Sequence, residues 1–138
     1  MHARRRARRA LVQATYQWQL AETAADEIYS QFVCNGSLER ADTEFFNTCM
    51  RGVIGAGQKL DGIYGTYLDR TVGELDHIER AILRAGTWEL QMKVDVPYKV
   101  VIDEYVTLAK TFGAQDSYKY INGVLDRVAK ALRVAEME

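Results

Sequence analysis

Residues 75–90, LDHIERAILRAGTWEL, carry the pattern that decides the fold of this chain. Apolar residues recur there at intervals of three and four, which is the spacing of one buried face of an α-helix. Asp76 followed by Glu79 resembles a capping box and marks the start of the helix. The sequence therefore predicts a helix that buries Ile78, Ile82, Ala85 and Trp88.

The same spacing extends over most of the chain, strand alternation is missing, and Pro97 is the single proline. The sequence therefore predicts an all-α fold with six or seven helices. Besides the helix at Asp76, the expected helices run from about Ala3 to Leu20, from a Thr23/Asp26 cap signature to about Asn35-Gly36, from Asp42 toward Tyr67, from about Val101 to Phe112 with Gly113 as the stop, and from about Ser117 to Leu132.

Composition favours a single domain over residues 1–138. With 138 residues, 48% of them hydrophobic, the chain can bury one good core. We expect Cys34 and Cys49 to be buried or nearly buried thiols in a reducing cytosol, because their spacing fits neither a disulfide framework nor a metal site. Glutamines interrupt the stretch that a signal peptide would need, and no run reaches membrane-spanning length. A cytoplasmic protein without a membrane segment is expected.

Enzyme chemistry has little support in the sequence. The stretch GVIGAG, residues 52–57, lies within a helical pattern and follows no strand, so we interpret its glycines as a close approach of two helices rather than a phosphate loop. His2 and His77 are isolated from other ligand residues, which predicts no metal site. No serine lies in a nucleophile elbow. We expect a protein that is not an enzyme and has no cofactor.

Arginine is concentrated at the start of the chain, in residues 1–9, with no acid before Glu22. Cations near a helix N-terminus oppose the helix dipole, so an external anion is needed to explain them. On a helix their guanidinium groups cover more than one face, which suits a polyanion, and arginine both binds phosphate and stacks on bases. A nucleic acid is the leading partner class, and a disordered basic tail is the alternative. The arginines are Arg4, Arg5, Arg6, Arg8 and Arg9.

A second segment, KTFGAQDSYKYINGVLD at residues 110–126, mixes bases, aromatics and amides around a glycine turn. Recognition of single-stranded RNA uses charge for the backbone, aromatic stacking for splayed bases and hydrogen bonds for base identity. We therefore predict single-stranded RNA as its ligand. Two alternatives stay open: Phe112 and Tyr118 belong to the core, and Asp116 is only a helix N-cap. Asn122 lies in an apolar helix, where a hydrogen-bonding role is expected.

Four stretches together are similar to the bacterial NusB family of transcription antitermination factors, and the similarity spans about Ala3 to Arg133. They are ARRRARRALVQATYQWQL, LDHIERAILRAGTWEL, DVPYKVVIDEYVTLAKTFGAQDS and YKYINGVLD. The resemblance implies two packed helical bundles. It also implies pairing with NusE, a small-subunit ribosomal protein. The pair binds the boxA RNA element of ribosomal RNA leaders and helps RNA polymerase read through terminators.

The resemblance also implies residue roles. Tyr16, Leu20 and Glu79 match positions that face NusE, although Tyr16 packing inside and Glu79 serving only its capping box remain alternatives. Tyr120 stands where phenylalanine is usual, and Gln115 where an acid is frequent; stacking survives the first change, and the second removes repulsion near RNA. The residues expected to bind RNA come from the arm at residues 1–9, from Gln13 on the same helix and from the second segment. They are Arg4, Arg5, Arg6, Arg8, Gln13, Lys110, Phe112, Gln115, Asp116, Lys119, Tyr120 and Asn122.

Two other protein classes compete with this interpretation. Some RNA cytosine methyltransferases carry a NusB-like helical domain, but this chain shows no dinucleotide-type glycine fingerprint after a strand, and such an enzyme would need a longer chain. The second class is a protein adaptor that uses the basic arm on an acidic partner. Sequence-selective affinity for RNA would separate RNA binding from a purely charge-driven interaction.

Overall fold

The computed structural model describes residues 2–137, and over this range it contains helices and no strands. The all-α prediction is confirmed, with eight α-helices in place of six or seven. A short 3-10 turn at Val72–Glu74 precedes the fifth helix. The helices are α1 Ala3–Ala21, α2 Ala25–Cys34, α3 Thr43–Gly55, α4 Gly57–Gly65, α5 His77–Met92, α6 Tyr98–Phe112, α7 Ser117–Leu132 and α8 Val134–Met137.

The helices pack as two groups around α5. Helices α1, α2 and α3 contact one another, and α4, α6 and α7 form the second group. Helix α5 contacts both groups, since it packs against α1 and α3 on one side and against α4, α6 and α7 on the other. A helix enclosed in this way is expected to be buried nearly all round. Every residue from 81 to 90 is buried.

The predicted start of α5 is confirmed. The Asp76 carboxylate accepts a hydrogen bond from the Glu79 N–H at 2.7 Å, and the Glu79 carboxylate accepts one from the Asp76 N–H at 3.2 Å. These reciprocal bonds satisfy two N–H groups that the helix itself leaves unpaired. Ile82, Ala85 and Trp88 are buried as predicted, whereas Ile78 is only half-buried because it lies in the exposed first turn.

The long helix predicted from Asp42 toward Tyr67 is wrong in one respect, because it breaks at Ala56 into α3 and α4. Its start is correct: the Asp42 carboxylate accepts a hydrogen bond from the Phe45 N–H at 3.0 Å. The close helix approach predicted for the glycines is confirmed at Gly52 and Gly57 but not at Gly55, where an added Cβ would meet nothing within 4 Å. A Cβ added to Gly52 would overlap the indole of Trp88 on α5.

We expect Gly52→Ala to destabilise the fold by about 1–3 kcal/mol, because the new methyl group forces the Trp88 indole or α3 to move. Gly55→Ala, on the same helix, is the matched control. No atom lies within 4 Å of a Cβ at Gly55, so this change should be neutral or stabilising. Urea unfolding of both variants measures the difference. Equal stability of the two would contradict the packing role of Gly52.

Two other expectations fail. Thr23 and Asp26 do not cap α2, whose N-cap is Ala24 and which has no side-chain cap bond; the Thr23 hydroxyl instead accepts from the Gln17 amide at 3.5 Å. Cys34 is exposed at the end of α2, so only Cys49 is a core thiol. Burial raises the pKa of Cys49 to about 12, which keeps this thiol protonated and unreactive at neutral pH.

Neither a membrane segment nor a metal cluster is found in the part of the chain that the structure describes. None of the helices between residues 2 and 137 is both long and apolar enough to cross a bilayer. The same residues contain no group of three or more His, Cys, Asp or Glu side chains placed to hold a metal ion.

Candidate nucleic-acid interface

The arginine-rich start is ordered helix, which excludes the disordered tail that the sequence left open. Helix α1 begins at Ala3, and Arg4, Arg5, Arg6 and Arg9 are exposed on it. Some of their charge is already partnered. The Nε of Arg5 lies 3.3 Å from the Glu104 carboxylate, although 64% of the Arg5 side chain remains exposed. Such exposed ion pairs are weak and can exchange for a phosphate.

Arg4 has a looser environment. Its Nε lies 3.7 Å from Asp42, and its guanidinium lies over the Phe45 ring at 4.6 Å from the centroid. The aromatic face orients the cation without using its hydrogen-bond donors. Arg4 can therefore turn its N–H groups toward an anion in solvent while remaining anchored to the ring.

Arg8 differs from its four neighbours, because it is buried. Its residue exposure is 4%, and its guanidinium donates to both Glu89 oxygens, at 2.7 Å from Nη2 and 2.9 Å from Nε. A third bond joins Nη1 to Glu104 at 3.1 Å. The predicted phosphate contact at Arg8 therefore has no support here: the guanidinium already has carboxylate partners inside the protein, and we leave Arg8 out of the RNA surface.

The Arg8–Glu89 pair is the centre of a buried polar network. Glu89 is fully buried and also accepts a hydrogen bond from the Tyr105 hydroxyl at 2.8 Å. Burial opposes the charge of Arg8, but the bond to Glu89 and the nearby carboxylates outweigh it and raise the pKa of Arg8 above its ordinary value. Burial, reinforced by Glu89, also raises the pKa of Tyr105. The network ties α1 to α5 and α6 and holds the arm in place.

Arg9 joins the arm to the second predicted segment. Its guanidinium lies over the ring of Phe112, 5.2 Å from the centroid, at the C-terminal end of α6. The arm therefore contacts the segment at residues 110–126 near its N-terminal end, and Phe112 is half-buried against the edge of the core. Arg9 was not among the predicted RNA contacts. Its place in the N-terminal arginine cluster was the sequence feature that could have identified Arg9 as a candidate RNA contact.

The turn before α7 has a different geometry from the one expected. Asp116 is the N-cap residue but adopts a left-handed conformation with φ of 66°, and its side chain makes no cap bond. The carboxylate instead lies 3.5 Å from the Lys119 ammonium. The alternative in which Asp116 serves as an N-cap through its side chain is therefore wrong. Gln115 and Asn122 are exposed.

Tyr118 and Tyr120 occupy different environments. Tyr118 is half-buried, with the Lys110 ammonium 4.8 Å from its ring centroid and Lys119 at 6.0 Å. Its position between two lysines makes Tyr118 a stacking candidate that the predicted site omitted. The Tyr120 ring is covered by Arg70 at 4.3 Å, and its hydroxyl accepts from the Asp69 N–H at 3.3 Å. Arg70 would have to move for a base to use the covered face of that ring.

The residues predicted to face a protein partner gather where α1 meets the start of α5. Tyr16 is half-buried with its ring edge-on to His77, at 6.3 Å between centroids, and Leu20 is 51% exposed. The Glu79 carboxylate serves its capping box and accepts a bond from the Ser117 hydroxyl at 3.0 Å. Glu79 thus has a structural role, whether or not it also faces a partner.

One face of α1 connects these partner residues to the arm. Positions separated by three or four residues lie on the same side of a helix. Five such positions form what we call the exposed stripe, and each is exposed except Tyr16, which is half-buried. The exposed stripe is Arg5, Arg9, Gln13, Tyr16 and Leu20.

Comparison with known proteins gives a consistent result. A family model described as the NusB family matches residues 5–130. A protein of Alcanivorax borkumensis named transcription antitermination protein NusB is 52% identical over 134 residues, covering 97% of this chain and 89% of the relative. A protein of Pseudoalteromonas atlantica with the same name is 46% identical, covering 98% and 96%.

Solved structures agree with the sequence relatives. NusB of T. maritima superposes with a TM-score of 0.82 at 30% identity, covering 91% of this chain and 89% of the other. A chain from a structure of the antitermination factors NusB and NusE in complex with double-stranded RNA superposes with a TM-score of 0.84 at 25% identity, covering 95% and 98%. Fold, family model and relatives coincide over nearly the whole chain, and the chain belongs to the NusB family.

Proposed function

We propose that this protein is a transcription antitermination factor that binds boxA-type single-stranded RNA together with NusE. In this role it acts within the RNA polymerase complex and promotes read-through of ribosomal RNA operons. Membership of the NusB family supports the proposal, as do relatives named as antitermination proteins. The observation that carries it is the contact of Arg9 with Phe112, which joins the basic arm to the aromatic segment.

The RNA path in this proposal follows the chemistry of that surface. Arg5, Arg6 and Arg9 supply phosphate contacts, because their guanidinium groups are exposed and carry bidentate donors. Phe112 and Tyr118, each beside a cation, supply aromatic rings for bases. The remaining predicted contacts from the second segment, and Arg4 and Gln13 on α1, stay part of the proposed site.

The protein partner in this proposal docks on the other end of α1. Leu20 and the exposed edge of Tyr16 provide an apolar contact, and Glu79 provides a charge close by. Interfaces combine an apolar centre with a polar rim in this way. A structural neighbour of this chain has been solved together with NusE, which makes NusE the partner we propose.

The proposal is tested by titrating a boxA RNA and a scrambled RNA of equal length, with and without NusE, and a duplex of the boxA sequence. We expect boxA to bind more tightly than the scrambled strand, and NusE to increase that difference. Equal affinity for the boxA and scrambled RNAs, both with and without NusE, would favour the rival class, an adaptor whose basic arm acts by charge alone. Preference for the duplex would contradict the single-stranded part of the proposal.

Tyr16→Asp should weaken NusE binding by tenfold or more, because it places a charge in the apolar centre of the proposed interface. Loss of a half-buried ring should leave the fold intact. Val33→Asp, which adds the same charge at a 49% exposed valine on α2, is the control and should bind NusE normally. Calorimetric titration and a thermal melt are measured together. A large drop in the melting temperature of Tyr16→Asp in the absence of NusE would show that Tyr16 is needed for folding.

Asp116→Asn should tighten RNA binding while changing stability by less than about 1 kcal/mol. Asparagine tolerates the left-handed conformation well, and the carboxylate makes no cap bond that could be lost. Removing the charge releases Lys119 and removes repulsion of phosphate, so the effect should be largest at low salt.

Asp126→Asn is the matched control for Asp116→Asn. It removes a similar ion pair, to Lys130 at 3.5 Å, near the far end of the same helix, and should leave RNA affinity unchanged. Weaker RNA binding by Asp116→Asn at constant stability would mean that Asp116 accepts a hydrogen bond from the RNA. The electrostatic account of this turn would then be wrong.

A further inference from the structure

An open cavity of about 770 Å³ lies between the C-terminal end of α1, the junction of α3 with α4, and α5. We call it the junction cavity. Its lining includes Trp18, Ile54, Gln58, Lys59, Arg80 and Arg84. Trp18 lies two residues from both Tyr16 and Leu20 on α1, so it points away from the exposed stripe. Trp18 therefore lies on a different face of α1 from the exposed stripe, while the lining residues Gln19 and Arg80 adjoin Leu20 and Glu79 in the sequence.

Small residues at the helix junction keep this cavity open. Gly57 begins α4 beside the indole of Trp18, and an added Cβ would lie 2.7 Å from Cη2 of that ring. A side chain at position 57 would therefore displace the tryptophan. Gly55 and Ala56 present almost no side-chain volume to the same space. The break between α3 and α4 thus leaves a concave site with an aromatic wall.

The charge of the lining favours an anion. Arg84 is paired with Asp61 at 2.7 Å and lies over the Trp18 ring at 5.2 Å. Lys59 and Arg80, by contrast, form no ion pair with a carboxylate within residues 2–137. Arg80 is anchored by a bond to the Val72 carbonyl at 3.1 Å, and its Nε is buried without a partner.

Among the described residues that line the cavity, Glu22 is the only one with a carboxylate. Lys59 is exposed and Arg80 donates only to the Val72 and Leu75 carbonyls, so no carboxylate in the described part of the chain neutralises either charge and both can attract an anion. The site also has the volume of an ordinary small-molecule pocket.

We propose that the junction cavity binds a nucleoside phosphate. Its base stacks on the exposed part of Trp18, its phosphate lies between Lys59 and Arg80, and the Gln58 amide is available for the base edge. The stacking wall distinguishes this ligand from a simple inorganic anion, and the cations distinguish it from an uncharged nucleoside. Free nucleotide and a nucleotide residue of RNA share this chemistry.

The first test titrates adenosine 5′-monophosphate into the full chain and follows the Trp18 indole N–H and the Gly57 amide by NMR. Both signals should shift. Lys59→Gln should weaken binding about tenfold, since it removes a charge-assisted bond, and Glu22→Gln should tighten it severalfold by removing an opposing charge. Lys99→Gln, an exposed lysine on α6, is the control and should change nothing. The proposal is overturned if the Trp18 and Gly57 signals do not shift, or if the Lys59→Gln and Lys99→Gln variants bind the monophosphate with equal affinity.

Competing ligands identify the chemistry. Adenosine and inorganic phosphate should each bind more weakly than the monophosphate. If adenosine binds as tightly as the monophosphate, the phosphate contributes nothing to binding and the proposal is overturned. If inorganic phosphate binds as tightly as the monophosphate, the base contributes nothing and the proposal is likewise overturned. Binding of a tetraglutamate peptide in place of the nucleotide would overturn it in favour of an acidic protein segment.

A final experiment distinguishes the junction cavity from the RNA surface and identifies the source of the ligand. In an Arg5→Ala, Arg6→Ala, Arg9→Ala variant, the monophosphate should still shift Trp18, whatever happens to boxA binding. Loss of that shift would show that the nucleotide uses the arm and would overturn the junction site. In the same variant, a short RNA oligonucleotide that shifts Trp18 more strongly than the monophosphate assigns RNA as the source, and weaker shifts assign free nucleotide.

Discussion

Replacing Arg5, Arg6 and Arg9 together by alanine is expected to weaken RNA binding about 100-fold at 0.1 M salt. Each lost phosphate contact on a single strand removes about 0.7 from the slope of log affinity against log salt, so three contacts remove about 2. The fold should be unaffected, because all three side chains are exposed. Salt titrations of RNA affinity for the variant and the parent chain measure both quantities.

The control for the arm variant replaces three exposed cations elsewhere, Arg51, Lys99 and Lys130, by alanine. It therefore has the same net charge as the arm variant. Its salt slope should remain close to that of the parent. An equal loss in both triple variants would mean that RNA responds to overall charge rather than to the arm. Arg8 is excluded from the arm variant, since removing a buried ion-pair partner would confuse loss of folding with loss of binding.

Glu89→Ala is expected to destabilise the fold by about 3–5 kcal/mol, the usual effect of removing one member of a buried ion pair. Glu89 is fully buried and accepts bonds from Arg8 and Tyr105. Without it, a guanidinium and a hydroxyl remain in the core with lost partners, and the charge of Arg8 has only Glu104 nearby. Chemical unfolding followed by helical signal measures the loss.

A double variant, Arg8→Met with Glu89→Met, distinguishes the charge from the space it fills. Replacing both partners by apolar side chains leaves no isolated charge, so the double variant should be more stable than Glu89→Ala. If the double variant, which keeps the side-chain volume, is as unstable as Glu89→Ala, the hydrogen-bonded ion pair itself, and not the cost of an isolated charge, accounts for the loss.

The elements that the sequence predicted well are those governed by local rules. The apolar spacing of α5, α6 and α7 and the capping residues Asp42 and Asp76 act within one or two helical turns, so they can be recognised without the fold. The break at Ala56 depends on tertiary packing, since the start of α4 must fit beside Trp18. Gly55 and Gly57, on either side of Ala56, are a local signal for that break, but glycine alone does not distinguish a helix end from a close approach of two helices.

Among the candidate site residues, burial was the property that the sequence described least well. Arg8 belongs to an obvious cationic cluster, yet it lies three and seven residues before Leu11 and Thr15, on the buried face of α1. Glu89, an acid between the buried Trp88 and Leu90, was the second signal of an internal ion pair. Recognising this ion pair requires knowing how α1 packs against α5, because Arg8 and Glu89 are far apart in the sequence. The joining of Arg9 to Phe112 is likewise a contact between distant segments that spacing cannot show.

The exposed stripe of α1 has a consequence for cooperativity. The helix is unbroken from Ala3 to Ala21, so Arg5 and Leu20 are held about 22 Å apart on one straight edge. In the proposed function, RNA on the arm and a protein on Tyr16 and Leu20 would occupy two ends of one rigid edge at a high effective concentration, without any change in the shape of the scaffold. Linkage requires each of the two to strengthen the other by the same factor. In such an arrangement α1 acts as a template on which the two ligands recognise one another.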